Sequence, residues 1–105
     1  MNDMAALVLN KNNFNLARES EKTVLLDFFA PWCGPCRTLL PIVEKIADEN
    51  PDIFVAKINV DEEPELAGAF EVSVVPTLVI MKNGEEVDRI VGVKPKQAIL
   101  NVLKG

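Results

Sequence analysis

The chain has 105 residues, a length that suits one domain folded around one core and leaves little for a second. Its composition, 49% hydrophobic and 26% charged, excludes disordered, collagen-like and coiled-coil readings. Lys and Arg number 11 against 16 Asp and Glu, a net charge of −5 that favours solubility and argues against nucleic-acid binding, and the absence of histidine removes Ser-His and Cys-His catalysis and most zinc sites.

Thiols, carboxylates and amines remain as reactive groups. Residues 1–11 carry Asp3 and no basic residue before a short apolar stretch, so they do not read as a secretory signal. No run is long enough to span a membrane. A soluble cytoplasmic protein is the expectation.

The apolar residues 5–9, followed by Asn10-Lys11-Asn12-Asn13, suit an edge strand leading into a helix over about residues 14–21. Residues 23–30 form a nearly continuous apolar run with β-branched and aromatic side chains, the pattern of a strand buried on both faces in the middle of a sheet. Next comes Pro31-Trp32-Cys33-Gly34-Pro35-Cys36, after which Leu39, Leu40, Val43, Ile46 and Ala47 recur at helical spacing as far as Asn50-Pro51. The two cysteines therefore lie where a strand hands over to a helix. Pro41, inside that helix, has no N–H to donate and crowds the carbonyl of Arg37, which predicts a kink that tilts the first turn.

Residues 53–60 read as a further strand and residues 63–70 as a short helix opened by Asp61 and Glu62. Alternating strands and helices imply parallel pairing with right-handed crossovers. Residues 77–81 form the next strand, Lys82-Asn83-Gly84 carries the hairpin signal, and residues 85–91 alternate as an antiparallel partner. Pro95 opens a final helix with Ile99, Val102 and Leu103 inward. The order βαβαβ followed by ββα is that of an α/β fold, a mixed sheet covered on both faces by helices, with no linker, repeat or low-complexity tract.

Cys33 and Cys36 have four readings: a redox pair, a structural bridge, half a zinc site or two unrelated buried thiols. Closing so short a loop removes only roughly 2 kcal/mol of unfolded-state entropy, so a bridge placed for stability belongs elsewhere. Structural zinc needs about four ligands, which one chain with no histidine and no third cysteine completes only with carboxylates. Thiols at a helix N-terminus meet unpaired N–H groups and the positive end of the dipole, which stabilise a thiolate. The redox reading is favoured. In it Cys33, the more exposed sulfur with a lowered pKa, attacks a substrate disulfide, and the shielded Cys36 resolves the mixed disulfide, moving two electrons and two protons per cycle.

The segment Trp32-Cys33-Gly34-Pro35-Cys36 after Asp27-Phe28-Phe29-Ala30 resembles the thioredoxin family. The resemblance continues through Pro41, Ala56-Lys57-Ile58-Asn59-Val60-Asp61, Val75-Pro76-Thr77, Lys82-Asn83-Gly84 and Val91-Gly92, in order and over essentially the whole chain. It implies one thioredoxin domain over residues 1–105, with a mixed five-stranded sheet of order 1-3-2-4-5 flanked by four helices in three α/β/α layers. It also implies a monomeric protein-disulfide reductase and electron carrier with a strongly reducing dithiol. Gly34-Pro35 is the dipeptide of reductases, where oxidising relatives usually carry a histidine. The chain has no flavin or nicotinamide motif, so its redox-active Cys33–Cys36 pair works without a cofactor or metal and borrows electrons from another protein. Family analogy supplies a thioredoxin reductase as donor and ribonucleotide reductase, peroxiredoxin or methionine sulfoxide reductase as acceptors, with no nucleic-acid or membrane partner.

Asp27 interrupts an apolar run, and burial of an unpaired carboxylate raises its pKa. A core hydrogen bond is the plain explanation; proton exchange with Cys36 through water is the functional one. Lys57, on the adjacent predicted strand, either pairs with Asp27 and tunes it or snorkels to the surface. Pro76 by itself reads as a trans proline starting a strand. The resemblance instead implies a cis proline beside the dithiol, with the Val75 backbone pairing with the substrate chain. It further implies a flat apolar docking surface of Trp32, Gly34, Pro35, Val75, Pro76, Gly92 and Val93, of which Gly92 and Val93 would otherwise be a plain turn. Asp61, Glu62, Glu63 and Glu65 suggest a cation site, but acidic residues opening a helix usually complement its dipole. Phe29 stands where the family often has tryptophan, leaving Trp32 as the one indole to report redox state. Two other function classes use the same residues: an oxidase or isomerase at higher potential, and a binding module that needs the apolar rim but not the thiols.

Overall fold

The computed structural model describes residues 6–105, so Ala5 of the predicted first strand lies outside the described residues. The elements follow one another as β1 (Leu7–Val8), α1 (Asn15–Arg18), β2 (Thr23–Phe29), α2 (Gly34–Glu49), β3 (Ile53–Asn59), α3 (Pro64–Ala69), β4 (Thr77–Lys82), β5 (Glu85–Val91) and α4 (Lys96–Lys104). The sheet order is β1-β3-β2-β4-β5. The first three strands in that order pair in parallel, and β4 and β5 are antiparallel to their neighbours. The mixed sheet is the one expected from the pattern of the chain, and its five-stranded order is the one the family resemblance implies.

The side chains of β2 alternate between two cores. Val24, Leu26 and Phe28 join Phe14, Ala17, Ile58 and Leu66 on the face covered by α1 and α3. Leu25 points the other way, toward Leu39, Val43 and Ile46 of α2 and Ile99 and Leu103 of α4. Because strand residues alternate faces, Asp27 shares the α2 side with Leu25. A fully buried aliphatic or aromatic side chain contributes about 1.5–3 kcal/mol of burial energy, so the two cores hold the sheet as the middle of three layers. Phe70 sits between Phe14 and Phe28, with ring centroids 5.6 and 5.5 Å away.

Several boundaries differ from those the pattern predicts. Helix α1 covers only Asn15–Arg18, because the Ser20 hydroxyl accepts the Lys22 N–H and turns the chain into β2. Strand β2 stops at Phe29, since the Ala30 carbonyl accepts the Cys33 N–H at 3.2 Å and starts a turn. Helix α3 starts at Pro64, whose fixed φ suits a first helical turn. Pro41 lies inside α2 without ending it; its missing N–H leaves the Arg37 carbonyl without its helical donor. Val102 is half-buried, while Ile99 and Leu103 are buried. The hairpin turns on Asn83 and Gly84, with φ of 55° and 82°. Among the described residues no helix is long and apolar enough to cross a membrane.

Candidate active site

Strand β2 delivers the chain to the turn that starts α2, and the two cysteines sit at this junction. Cys33 is the N-cap, in extended conformation, and its Sγ accepts the Cys36 N–H at 3.1 Å. Sulfur thus takes the place of the usual capping oxygen and satisfies one of the free N–H groups of the first turn. Cys33 and Cys36 are joined as a disulfide, with Cα atoms 5.3 Å apart. The same N–H groups and helix dipole that face the bridged sulfur stabilise a thiolate once the bridge opens. Position along the chain predicts Cys33 to be the more exposed residue of the pair. The structure corrects this: each is 4% exposed, in a cluster with Ala30 against which Phe29, Val60 and Val75 pack. Position at the cap distinguishes the two residues, not accessibility.

The Val75–Pro76 peptide is cis, and the Val75 carbonyl oxygen lies 3.8 Å from Cys33 Sγ. Thr77 Oγ1 donates to the Val74 carbonyl at 2.7 Å, and the Gly92 N–H donates to the Pro76 carbonyl at 3.0 Å. The Gly92 bond ties that turn to the Val75–Pro76 segment, and the Val75 carbonyl beside Cys33 brings both next to the segment of Trp32. Trp32, Gly34, Pro35 and Val93 are exposed, Val75 and Gly92 are half-buried, and an apolar groove of about 380 Å³ runs beside Trp32, Val60, Val72, Val74 and Val75. Pro76 is buried, so it supports this surface from beneath and does not line it.

Asp27 lies beneath the sulfur pair. It is 1% exposed, and its Oδ1 meets no hydrogen-bond partner among the described residues. Burial pushes its pKa up from 3.8 to about 7; the Lys57 ammonium pulls the other way, and Glu44 adds to the rise. A cavity of about 260 Å³ is lined by Asp27, Cys36, Lys57, Arg37, Val8 and Leu40. Asp27 and Cys36 thus share one space, which is roomy enough for water.

Lys57 stands opposite Asp27 in the parallel register of β2 and β3 and is 3% exposed, so it does not snorkel. Among the described residues it forms an ion pair with Glu44, Nζ to Oε2 at 2.8 Å, and its charge reaches Asp27 as a field. Reasoning from the sequence misses Glu44, although Cys36, Leu40 and Glu44 follow at four-residue spacing along one face of α2.

Asp61 is a second residue that the sequence does not place in the site. Its Oδ2 accepts the Trp32 indole N–H at 2.9 Å. The neighbouring acids serve the surface: Glu63 accepts the Lys11 N–H and Glu65 pairs with Lys11. Among the described residues no group of three or more potential acidic or thiol ligands is arranged to hold a metal.

Comparison with known proteins follows the same lines. A family model described as Thioredoxin matches residues 5–105. Thioredoxin of Chlamydia pneumoniae is 51% identical over 80 residues, spanning 76% of this chain and 78% of that protein. Thioredoxin of Alicyclobacillus acidocaldarius is 42% identical over 96 residues, 90% of this chain and 91% of its own. Among solved structures, a single-site mutant of thioredoxin from Halobacterium salinarum superposes with a TM-score of 0.88 at 40% identity, covering 94% of this chain and 88% of the other. Oxidised mitochondrial thioredoxin 3 from Saccharomyces cerevisiae gives 0.86 at 31%, covering 97% and 96%.

Proposed function

Because the chain belongs to the thioredoxin family, oxidoreductases with a redox-active disulfide, we propose that it reduces disulfides of other proteins with Cys33 as nucleophile and Cys36 as resolving thiol. Thiol–disulfide exchange itself follows from the family and from the pair at bonding distance. The cap position of Cys33, with the Cys36 N–H aimed at its sulfur, supports the division of roles and is the observation that carries the reading.

In the reduced protein the Cys33 thiolate attacks one sulfur of a substrate disulfide, the substrate S–S bond breaks, and the departing sulfur takes up a proton. Cys36 then gives its proton to the Asp27 carboxylate, through water in the intervening cavity, and attacks Cys33 Sγ. The mixed disulfide breaks, the second substrate sulfur leaves as a thiolate that takes up the proton held by Asp27 through the same water, and Cys33–Cys36 is restored. Two electrons and two protons pass to the substrate. A carboxyl titrating at about 7 both accepts and returns a proton near neutral pH.

Family members act on protein disulfides and are recharged by reductases. For this chain we assign a thioredoxin reductase as donor and ribonucleotide reductase, peroxiredoxin or methionine sulfoxide reductase as acceptors. The extended substrate chain docks on Trp32, Gly34, Pro35, Val75, Gly92 and Val93. Residues 1–105 act as one monomeric cytoplasmic domain that needs no cofactor beyond its own disulfide.

The test is a titration of Trp32 fluorescence, or of thiol labelling, against dithiothreitol buffers of defined potential, with Cys33→Ser as control. A single two-electron transition near the roughly −270 mV general to thioredoxins supports the reductase. A midpoint about 100 mV higher makes it an oxidant or isomerase. Absence of a reversible transition leaves a binding module.

A further inference from the structure

Lys57 lies between two carboxyl groups. Strand β3 sets it opposite Asp27 on β2, and α2 carries Glu44 over it. Both oxygens of Glu44 are engaged: Oε2 accepts from Lys57 Nζ at 2.8 Å, and Oε1 accepts the Ala6 backbone N–H at 2.9 Å. The carboxylate is thus held from two sides, by the segment leading into β1 and by β3. Its side chain is 15% exposed, and that of Lys57 3%.

A buried ammonium requires a counter-charge, because desolvation makes an uncompensated one costly. Among the described residues, Glu44 and Asp27 carry carboxyl groups placed to contribute it. Were Asp27 the counter-charge, it would be locked in its ionised form and lost to proton exchange. With Glu44 as the counter-charge, Lys57 is neutralised without Asp27. We propose that Glu44 is a positioning residue for the proton relay: by holding the Lys57 ammonium in a clamped ion pair, it leaves Asp27 free to take and return the Cys36 proton. This rests on the reading of Asp27 as the proton acceptor.

Among the described residues, the charged and titratable surroundings of Asp27 are few. Lys57 comes from β3, and Cys36, Arg37 and Glu44 come from α2; on β4 its partner is the uncharged Leu78. The Arg37 guanidinium is engaged elsewhere, donating to the Pro31 carbonyl at 2.8 Å. Removal of the Glu44 charge therefore leaves Asp27 as the anion opposite Lys57 among the described residues, and the carboxyl becomes more acidic.

The experiment follows the Asp27 side-chain carboxyl carbon by NMR as a function of pH in the oxidised protein. Glu44→Gln is expected to lower the midpoint by about half a pH unit or more, and Glu44→Asp, which keeps the charge, to restore it. Glu44→Ala serves as a second variant, with the same direction expected, should the amide variant fail to fold. In a Lys57→Met background the effect of Glu44→Gln is expected to fall to less than half. A role in stability alone would lower Tm and leave the midpoint in place. An unchanged or raised midpoint in folded Glu44→Gln or Glu44→Ala overturns the proposal, as does an equal shift with and without Lys57. Failure of the acceptor reading shows separately, as an unaltered pH profile of the resolving step in Asp27→Asn, because the carboxyl titration does not depend on turnover.

Discussion

The indole N–H of Trp32 donates to Oδ2 of Asp61 at 2.9 Å, tying the residue before Cys33 to the chain just after β3. Trp32 is 68% exposed, so this one polar contact orients a ring that packing does not hold. A hydrogen bond to a charged acceptor contributes about 1.5–3 kcal/mol, and less where water competes, as it does at this exposed carboxylate. Asp61→Ala is expected to lower fluorescence anisotropy at Trp32 and to reduce kcat/KM on a protein disulfide roughly 3- to 10-fold, the equivalent of about 1 kcal/mol. Tm should scarcely move, because Asp61 is exposed. Unchanged anisotropy and kinetics would show that Asp61 does not orient Trp32.

Asp27 weakens the fold that houses it. Its carboxyl keeps its proton up to about pH 7 in the native state, against 3.8 for the ordinary group. Between those values the native state binds more protons than the unfolded chain, so stability declines as pH rises through that window and levels off above it. Asp27→Asn carries no such titration. Relative to wild type it is expected to gain stability steadily across the window, by an amount on the order of a few kcal/mol. Denaturant unfolding at a series of pH values checks this, and parallel curves for the two proteins would refute it.

Cysteine variants separate the two steps of exchange. Cys36→Ser retains the capping sulfur and lacks the one proposed to resolve, so a mixed disulfide with substrate is expected to accumulate and to show in the intact mass. Cys33→Ser is expected to form no adduct at the active-site cap. An adduct of equal yield on Cys36 in that variant would reverse the assignment of nucleophile.

Two glycines should respond differently to alanine. Gly84 has φ of +82°, and a Cβ there would stand 3.1 Å from the Arg18 carbonyl oxygen, so Gly84→Ala is expected to cost about 1–2 kcal/mol or more. Gly34, in the first turn of α2, has open space around the position a Cβ would take, with no atom of the surrounding structure within 4 Å, and Gly34→Ala should change stability by less than about 0.5 kcal/mol. Urea midpoints of the two variants decide the matter, and equal effects would contradict it.

The strands and the principal helix were legible because their signals are local. Residues 23–30 show a buried strand by unbroken apolarity, residues 39–47 a helix by spacing, and Asn83-Gly84 a turn by the backbone that those residues tolerate. End positions were less legible. Ser20 closing α1 and the Ala30 carbonyl closing β2 act through single hydrogen bonds that periodicity does not register. The placement of Pro76 and of the docking surface came from family resemblance, since neither proline nor glycine carries a local signal for what packs beside it.

Chemistry at the helix start was written in residue order alone, for two thiols at that spacing meet the same backbone N–H groups wherever such a helix begins. The partners around them were settled by packing. Lys57 has Glu44 as its ion pair although Asp27 stands opposite it in the sheet, and Trp32 finds Asp61 across 29 residues. Cys33 is buried as deeply as Cys36, in a cluster that Val75 packs against. Each of these depends on where distant segments meet in three dimensions and on which charge lies nearest in a medium that screens little, and no local pattern along the chain encodes that distance.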